Sequence, residues 1–449
     1  MNSTCPPDLA AALATLPLPV AVVDLETTGG HFHNDRITEI AIWRFANGQA
    51  GRHEWLVQPQ QPISRFITEL TGISNEMVAD APVFAELAPE LLPLLQGHIL
   101  VAHNSRFDYS FLRHEFARAG HAFAAPTLCT VQLSRRLYPQ YHKHNLDSII
   151  ERFAIATDTR HRAWADVAAL LDFLRLGLRE HGADAWLAQW PQLVRPAYPP
   201  VWLPEHLRHM LYRLPDTPGI SVWRHPGHQQ AAVMAHEQTF SQISALFNSP
   251  GAADRWRDTA QIDFTPAASL LHAHALAAEH SGSAAEDGPA AWHTVRFGDN
   301  GRGGLRAQVV PLYNGRHPQR PYGLFAHPKG AKRALAEWAR QYGFCPAELN
   351  LPGCEKGCPV ADSGQCAGDC DRHKTAAILK AATRLPVCDW GSAHEVMLHE
   401  HDALNGCRAA LHCAAGAIEL ADGSWYFHEQ LPRLFKQRFK QREGVEILA

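Results

Sequence analysis

The stretch VAVVDLETTGG, residues 20–30, is the feature that most constrains how this chain can fold. Its apolar start is typical of a buried strand, yet the strand leads into Asp24 and Glu26, two positions apart. Side chains two apart in a strand point to the same face. Two carboxylates held so close repel each other unless a cation lies between them, and Mg²⁺ and Mn²⁺ prefer oxygen ligands. The stretch therefore predicts a metal-binding strand end, with an N-cap pair or a salt-bridged turn as the alternatives.

Length and charge limit the classes of protein to which the chain can belong. Its 449 residues predict two or three domains. A formal net charge of −4 means that any nucleic-acid contact must come from local patches. No apolar run approaches the roughly 18 residues of a membrane span, and no Lys or Arg precedes Arg36. We therefore expect a cytoplasmic protein without membrane contact.

The hydrophobic pattern divides the chain into four predicted regions. Residues 1–185 predict an α/β domain, in which three strands over residues 18–58 precede helices mixed with one further strand. Residues 186–203 are rich in Pro and predict an extended linker. Residues 204–315 predict a smaller α+β domain, and residues 316–449 contain a predicted helix, a Cys-rich segment and a basic tail.

Three segments of the second half carry more specific expectations. HAHALAAEHSGSAAEDGPAA predicts a surface loop, because it fades into small and polar residues. AWHTVRFGDNGRGGLRAQVVPL predicts a hairpin across a Gly-rich turn. GAKRALAEWARQYG predicts a helix that leads into the Cys-rich segment.

Two further acidic positions extend the prediction made from Asp24 and Glu26. VAHNSRFDYSFL brings a strand into Asp108 at a helix start, and HRAWADVAALLDFL places His161 five residues before Asp166. Each is weak alone, because Asp in the first turn of a helix commonly favours the helix dipole. Their combination, in this order and spacing, predicts a functional site.

These segments also resemble a known family. DLETTG, HNSRFDYSFL and HRAWADVAAL resemble the three exonuclease motifs of the DEDDh 3′–5′ exonucleases, the family of the proofreading epsilon subunit of bacterial DNA polymerase III. The resemblance covers residues 18 to about 180. It implies a ribonuclease H-like fold for the first domain and an activity on the 3′ ends of DNA.

The resemblance also implies a role for each motif residue. Two Mg²⁺ or Mn²⁺ ions would be bound by Asp24, Glu26, Asp108 and Asp166. One ion would activate a water, the other would stabilise the leaving 3′ oxygen, and His161 would take the proton of the water. The residues expected near the terminal nucleotide are Thr27, Gly29, Asn104 and Phe107.

The segment LPDTPGISVWRH, residues 214–225, resembles the opening strand of the GIY-YIG nuclease domain of the excinuclease C family. Ser221 replaces the Tyr of that strand, QQAAVMAHEQTF lacks the second signature, and TFSQISALF lacks the expected Arg. Ala273 stands where the metal-binding Glu would fall. The resemblance therefore implies a degenerate GIY-YIG-like domain, kept for shape or binding. We expect the flanking His272 and His274 in a surface loop, with a metal site as the alternative.

The segment FCPAELNLPGCEKGCPVADSGQCAGDC contains five cysteines, and four suffice for a tetrahedral Zn²⁺ or an iron–sulfur cluster. The segment resembles one that follows the GIY-YIG domain in the excinuclease C family, which implies a [4Fe–4S] cluster; spacing cannot separate it from Zn²⁺. The implied ligands are Cys345, Cys358, Cys366 and Cys370. Cys354 is then the spare thiol. The tail RLFKQRFKQREG could bind a phosphate backbone, although we favour a solvated helix face.

The sequence thus predicts a 3′–5′ exonuclease that acts on DNA ends, in repair or proofreading, with a DNA polymerase or repair proteins as its protein partners. Three alternatives stay open at this point. They are an excinuclease-like endonuclease that works through the GIY-YIG-like domain, an RNA-trimming exonuclease, and a DNA-binding scaffold without catalytic activity.

Overall fold

Five strands form the central sheet of the first half of the chain, and they are β1 (Val20–Thr27), β2 (Ile37–Ala46), β3 (Gln49–Leu56), β4 (Ile99–Ala102) and β5 (Thr127–Cys129). Their order is β3-β2-β1-β4-β5. β1 runs antiparallel to β2 and parallel to β4. β1, β2 and β4 are buried along almost their whole length, which explains their near-continuous apolar runs.

The computed structural model describes residues 5–157, 161–227, 230–281, 292–301, 304–351 and 375–448. The chain divides into two units. Unit 1 comprises Met1–Thr217, Trp223–Gln229 and Gln238–Asp263, and unit 2 comprises Pro218–Val222, Gln230–Glu237 and Phe264–Ala449.

Among the described residues before 182, eight helices accompany the five-stranded sheet of unit 1, and they are α1 (Pro7–Ala14), α2 (Arg65–Thr71), α3 (Asn75–Val78), α4 (Phe84–Leu95), α5 (Arg106–Arg118), α6 (Thr130–Leu137), α7 (Leu146–Phe153) and α8 (Ala163–His181). α4 buries a stripe at helical spacing, which includes Phe84, Leu87, Ala88 and Leu91. α8 lies against β1 and β2. This arrangement confirms the α/β fold predicted for the first domain.

The Pro-rich stretch differs from the extended chain predicted for it. Helices α9 (Ala183–Leu187) and α10 (Trp190–Leu193) occupy its first part, and α11 (Glu205–Leu211) follows. Trp186 and Trp190 are both fully buried, with ring centroids 5.0 Å apart, so a helical turn buries two indoles at once. Pro191 lies in the first turn of α10, where its missing N–H breaks no helical hydrogen bond.

Residues 219–281 alternate strands and helices, and the elements are β6 (Gly219–Arg224), β7 (Gln230–His236), α12 (Thr239–Phe247), α13 (Ala252–Trp256), β8 (Gln261–Pro266) and α14 (Leu270–Ser281). The three strands form a sheet of order β7-β6-β8. The prediction of a surface loop around His272 and His274 is wrong. Both belong to α14, because Leu271, Ala275 and Ala278 recur at helical spacing and are buried.

The remainder of unit 2 is rich in strands, and its elements are β9 (Trp292–Asp299), β10 (Leu305–Leu312), β11 (Gly315–His317), β12 (Tyr322–Phe325), α15 (Pro328–Gln341), α16 (Thr375–Ala382), β13 (Glu395–His401), β14 (Arg408–Ala414), β15 (Ala417–Glu419), β16 (Trp425–Phe427), α17 (Leu431–Phe439) and β17 (Val445–Ile447). The predicted hairpin is confirmed by the antiparallel pairing of β9 with β10, and the predicted helix by α15. These two strands and β12 form a sheet of order β10-β9-β12, and a six-stranded sheet has the order β11-β16-β15-β14-β13-β17. None of the helices in the described ranges is long and apolar enough to cross a membrane.

The burial of β4 in the core of unit 1 predicts how much a truncated side chain in this strand lowers the free energy of unfolding. Leu100 of β4 is fully buried between β1 and β5, so Leu100→Ala leaves a cavity and should lower the free energy of unfolding by about 2–5 kcal/mol. Urea titration followed by circular dichroism measures this change. Leu70→Ala, at a position that is 43% exposed, is the matched control and should shift the same quantity by about 0.5 kcal/mol or less. Equal effects of the two substitutions would contradict the packing described.

Candidate active site

The end of β1 presents two carboxylates side by side. Asp24 and Glu26 are partly exposed, whereas Leu25 between them is buried. The pairing of β1 with β2 sets Glu26 opposite Glu39, and the register shifts directly after Glu26. Bulges of this kind bend a strand and re-aim its side chains. The irregularity therefore lies between the second carboxylate and Thr27, the last residue of β1, which still pairs with Ile37.

Two helices bring further carboxylates to the same region. Asp108 lies in the first turn of α5, and Asp166 lies in the first turn of α8; both are buried. Carboxylate oxygens of Asp24, Glu26 and Asp166 all lie within 4.8 Å of one another. Segments more than a hundred residues apart thus converge on one cluster of oxygen atoms, a donor set that suits a hard divalent cation.

Asp108 lies next to this cluster. Burial raises the pKa of the Asp108 carboxyl well above its usual range, and the negative charge of nearby Glu26 raises that pKa further. A hydrogen bond from the backbone N–H of Leu25 acts in the opposite direction. A bound cation would favour the ionised form of Asp108, because opposite charge lowers the pKa of a carboxyl group. The residues present therefore fit a divalent metal ion.

Glu39 of β2 holds the start of α8 in place. Its carboxylate accepts the backbone N–H of Ala163 at 2.9 Å and hydrogen bonds from Arg162, with Nη2 at 2.6 Å and Nε at 3.1 Å. The hydrogen bonds to Glu39 raise the pKa of the Arg162 guanidinium, and the charge of Glu26 adds to the rise. The buried carboxylate thereby ties the residue after His161 to the strand that faces β1. Sequence reasoning missed Glu39, although an acid within the apolar run ITEIAI is a visible signal.

A second contact secures the same helix from β3. The guanidinium of Arg52 lies over the ring of Trp164, 3.8 Å from the ring centroid, and Arg52 also forms an ion pair with Glu54. His161, two residues before α8, has a positive φ of 59°. This backbone conformation is uncommon outside glycine and needs support from its surroundings. The contacts of Arg162 and Trp164 supply such support on the C-terminal side of His161.

The loop after β1 has one position that requires glycine. Thr27 donates a hydrogen bond through Oγ1 to the carbonyl oxygen of Gly29 at 2.6 Å. A Cβ on Gly29 would lie 2.4 Å from a carboxylate oxygen of Asp35. That carboxylate accepts the backbone N–H of His31 at 2.7 Å and a weaker bond from Thr28. The tight turn therefore depends on the missing side chain of Gly29.

The same loop is attached to α5. Arg118 donates hydrogen bonds to the carbonyl oxygens of Phe32 and His33, at 3.1 and 2.7 Å. Arg36 binds the buried Glu115 through two nitrogens, at 2.6 and 2.9 Å. Bidentate contacts of this kind fix orientation as well as distance. The helix that carries Asp108 and the loop that follows β1 thus form one braced structure.

Asn104 and Phe107, predicted to lie near a substrate, occur just before Asp108. Asn104 is exposed and has a φ of 68°, and its carbonyl oxygen accepts the backbone N–H of Phe107 at 2.8 Å. The ring of Phe107 lies 4.8 Å from that of Phe111, between centroids. The local geometry is therefore a tight turn that starts α5, and the substrate roles of both residues stay predictions.

Two predicted sites of unit 2 are the degenerate GIY-YIG position at Ser221 and the cysteine cluster. Ser221 is buried, and its Oγ lies 2.7 Å from Nε2 of His236, whose pKa is lowered by burial to about 4. The position of the expected catalytic Tyr is thus filled by a buried Ser–His contact. Cys345 is partly buried. The other cluster cysteines, Cys358, Cys366 and Cys370, and the spare Cys354 lie outside the described residues, so the cluster stays a prediction.

Two family models match the chain. Residues 21–174 match the exonuclease family model named RNase_T, and residues 305–381 match the middle domain of the UvrC/Cho excinucleases. The matches confirm the predicted likeness, an exonuclease domain of the ribonuclease H-like fold class followed by an excinuclease-like region. The GIY-YIG resemblance over residues 204–315 stays a prediction.

Curated relatives match part of the chain. The chain is 41% identical over 149 residues to a DNA polymerase III PolC-type of Caldanaerobacter subterraneus subsp. tengcongensis, covering 33% of this chain and 11% of that protein. It is 39% identical over 150 residues to the 3′-5′ exonuclease DinG of Bacillus subtilis, covering 32% and 16%. Over 252 residues it is 31% identical to a Mycobacterium tuberculosis protein provisionally named a bifunctional exonuclease/endonuclease, covering 54% and 39%. The chain therefore spans well under half the length of each of these relatives.

The hydrogen bonds from Arg162 and Ala163 to Glu39 predict that this residue affects the affinity for a metal ion. Glu39→Gln keeps the shape of the side chain but weakens its hold on Arg162 and α8, so the affinity for Mn²⁺ should fall by about 10–100-fold. Electron paramagnetic resonance of free Mn²⁺ during a titration measures the dissociation constant. Glu69→Gln, which removes the same charge from an exposed Arg65–Glu69 pair, is the control and should bind Mn²⁺ normally. Equal affinities for the two variants would show that Glu39 does not organise the site.

Proposed function

We propose that this chain, whose residues 21–174 match the exonuclease family, is a metal-dependent 3′–5′ exonuclease that removes nucleotides from DNA ends. One observation carries the proposal. Oxygen atoms of Asp24, Glu26 and Asp166 lie within 4.8 Å of one another at the end of β1. Repulsion makes this arrangement unfavourable without a cation, and phosphodiester hydrolysis is a reaction that two such cations promote.

The metal sites follow from the same residues. We propose that Asp24, Glu26, Asp108 and Asp166 hold two Mg²⁺ or Mn²⁺ ions, since carboxylates suit both. When bound, the ions supply charge that stabilises the attacking and leaving oxygens of an in-line displacement. Arg36 and Arg118 hold the loop after β1 in place. This supports a fixed entrance to the carboxylate cluster, which would accept the end of one DNA strand.

His161 supplies the proton acceptor in this proposal. A neutral imidazole can take a proton from water near physiological pH. His161 directly precedes Arg162, which Glu39 holds, and this supports a defined backbone position for His161. We propose that its ring faces the carboxylate cluster. For the terminal nucleotide we propose contacts with Thr27, Gly29, Asn104 and Phe107. The turns at Gly29 and Asn104 support this choice, because the first follows the end of β1 and the second precedes the start of α5.

Substrate and partners are proposed from the relatives. The names of the PolC-type and DinG proteins support DNA as the polymer and 3′ to 5′ as the direction. We propose a role in DNA repair or proofreading, with a DNA polymerase or repair proteins as partners, in the cytoplasm. For unit 2 we propose that Cys345, Cys358, Cys366 and Cys370 hold a [4Fe–4S] cluster or Zn²⁺, which in a reducing compartment protects dense thiols from oxidation.

A second candidate is endonucleolytic incision through the second half of the chain. The match of residues 305–381 to the UvrC/Cho middle domain and the name of the M. tuberculosis relative favour it. The buried contact between Ser221 and His236 speaks against it, because neither group faces solvent where a phosphate could bind. Incubation of covalently closed circular DNA with an Asp24→Ala variant separates the two candidates. Nicking by that variant would establish the endonuclease, and intact circles would leave the exonuclease as the activity.

The exonuclease proposal predicts the behaviour of two variants. His161→Gln should lower the rate of mononucleotide release from a 3′-labelled single strand by about 10²–10⁴-fold, because the general base is lost. Asp166→Asn should lower it at least as far, because a metal ligand is lost. Initial rates with Mg²⁺, on DNA and on RNA of the same sequence, provide the measurement. His142→Gln, at an exposed position, is the control. Unchanged release by both variants would refute the exonuclease assignment. Faster degradation of RNA than of DNA would make RNA the substrate.

A further inference from the structure

A groove in unit 2 lies apart from every residue assigned above. It has a volume of about 820 Å³ and lies between the end of β12, the first turns of α15 and residues 386–388. Its lining includes His327, Lys329 and Arg333 on the outside and Leu324 and Val387 on the inside. The groove therefore combines basic side chains with an apolar floor.

The floor of the groove is rigid. The backbone N–H of Leu324 donates to the carbonyl oxygen of Pro386 at 3.0 Å, and the N–H of Cys388 donates to the carbonyl oxygen of Leu324 at 3.0 Å. On its opposite side α15 buries Leu335 and Trp338 in the core of this part of unit 2. A groove held by backbone pairing on one side and a packed helix on the other keeps its shape when a ligand binds, which reduces the entropy lost on binding.

The lining of the groove carries more positive than negative charge. Lys329 and Arg333 are four residues apart and so share one face of α15. Both are exposed, and none of the salt bridges formed by described residues includes either of them. The first turn of α15 holds no acidic residue, and Glu337 is the one carboxylate in the lining. Exposed Lys332 adds a further positive charge beside the groove.

Several other cationic side chains of unit 2, unlike Lys329 and Arg333, form salt bridges. Lys436 is bound to Asp389 at 3.0 Å, and Arg438 is bound to Glu400 at 2.6 Å. Arg320 is likewise bound to Glu395. Charges that already have a carboxylate partner contribute little attraction for a polyanion. Lys329 and Arg333 form none of the salt bridges among the described residues, and in the lining only Glu337 offsets their charge. The net positive potential of the groove is therefore local, in a chain whose overall charge is −4.

We propose that this groove binds the sugar–phosphate backbone of single-stranded DNA, with Lys329 and Arg333 on successive phosphates and the apolar floor against the sugars. Proteins that bind single strands combine a basic track with apolar or aromatic contacts in this way. The groove is a site for strand retention, separate from the cluster that cuts the 3′ end. The choice of DNA as the ligand rests on the proposed function. The inference that the groove binds a polyanion rests on its charge and shape alone.

The test uses the full chain and a DNA without ends. A covalently closed single-stranded circle, labelled with fluorescein and mixed with the protein in EDTA, has no 3′ end and cannot be cut. Fluorescence anisotropy at several salt concentrations gives the binding constant and its salt dependence. The test variant is Lys329→Gln with Arg333→Gln, and both positions are exposed, so the fold should persist. The control is Lys380→Gln with Arg306→Gln, which removes one Lys and one Arg, and hence the same net charge, at exposed positions outside the groove.

The groove predicts that only the Lys329/Arg333 variant binds the circle more weakly. Each lost phosphate contact should lower the slope of log K against log salt by about 0.7, hence by about 1.4 for the pair. Equal losses in the two variants, or none in either, would overturn the proposal. A groove that fails this test while 3′-labelled strands are still degraded leaves the proposed exonuclease intact. Binding of the circle by a wild-type chain that degrades nothing supports the groove and counts against the exonuclease.

Discussion

Repulsion among carboxylates at the end of β1 is the constraint on which the rest of unit 1 depends. Asp24, Glu26 and Asp166 place oxygens within 4.8 Å of one another, and Asp108 lies buried beside them. At an effective dielectric constant of ~20, two like charges about 5 Å apart repel by about 3 kcal/mol. A domain is stable by only ~5–15 kcal/mol in total, so a few such pairs consume a large part of that margin. The structure has to hold these groups together by other means, and a bound cation has to relieve them.

The means are visible in the elements that carry each acid. β1 pairs with β2 from Val20 to Thr27 and with β4 over its first residues, so its carboxylates lie on a strand that is fixed in the sheet. α8 is tied to β2 by Glu39 and Arg162 and to β3 by the stacking of Arg52 on Trp164. α5 is tied to the loop after β1 through its own charged residues. Each acid therefore lies on an element that is fixed at a second point, which is how a preorganised metal site differs from an accidental group of surface acids.

Local patterns made much of this predictable from the sequence. The apolar run before Asp24 is a buried strand, the alternation of Asp24 and Glu26 puts both on one face, and Asp108 and Asp166 begin apolar-periodic helices. The hairpin of β9 and β10 followed from its Gly-rich centre. In each case the signal and the structure lie within one window of the chain, where period and turn chemistry suffice.

The features that escaped prediction depend on residues far apart. Glu39 and Arg162 are 123 positions apart, and no local period indicates that they meet. The first part of the Pro-rich stretch is helical because the helices bury Trp186 and Trp190 in the core. Composition alone does not reveal this burial. The helix around His272 has the same cause, since its small residues are buried against a neighbouring surface. Tertiary burial overrode local propensity at each of these places.

Crystals soaked in Mn²⁺ and measured at the manganese absorption edge show whether the carboxylates at the end of β1 share a cation. We expect anomalous peaks bounded by the carboxylates of Asp24, Glu26 and Asp166, with Asp108 facing them, and the loss of these peaks in crystals of the Asp166→Asn variant. Anomalous density elsewhere in the chain, with the end of β1 bare at saturating Mn²⁺, would contradict this expectation.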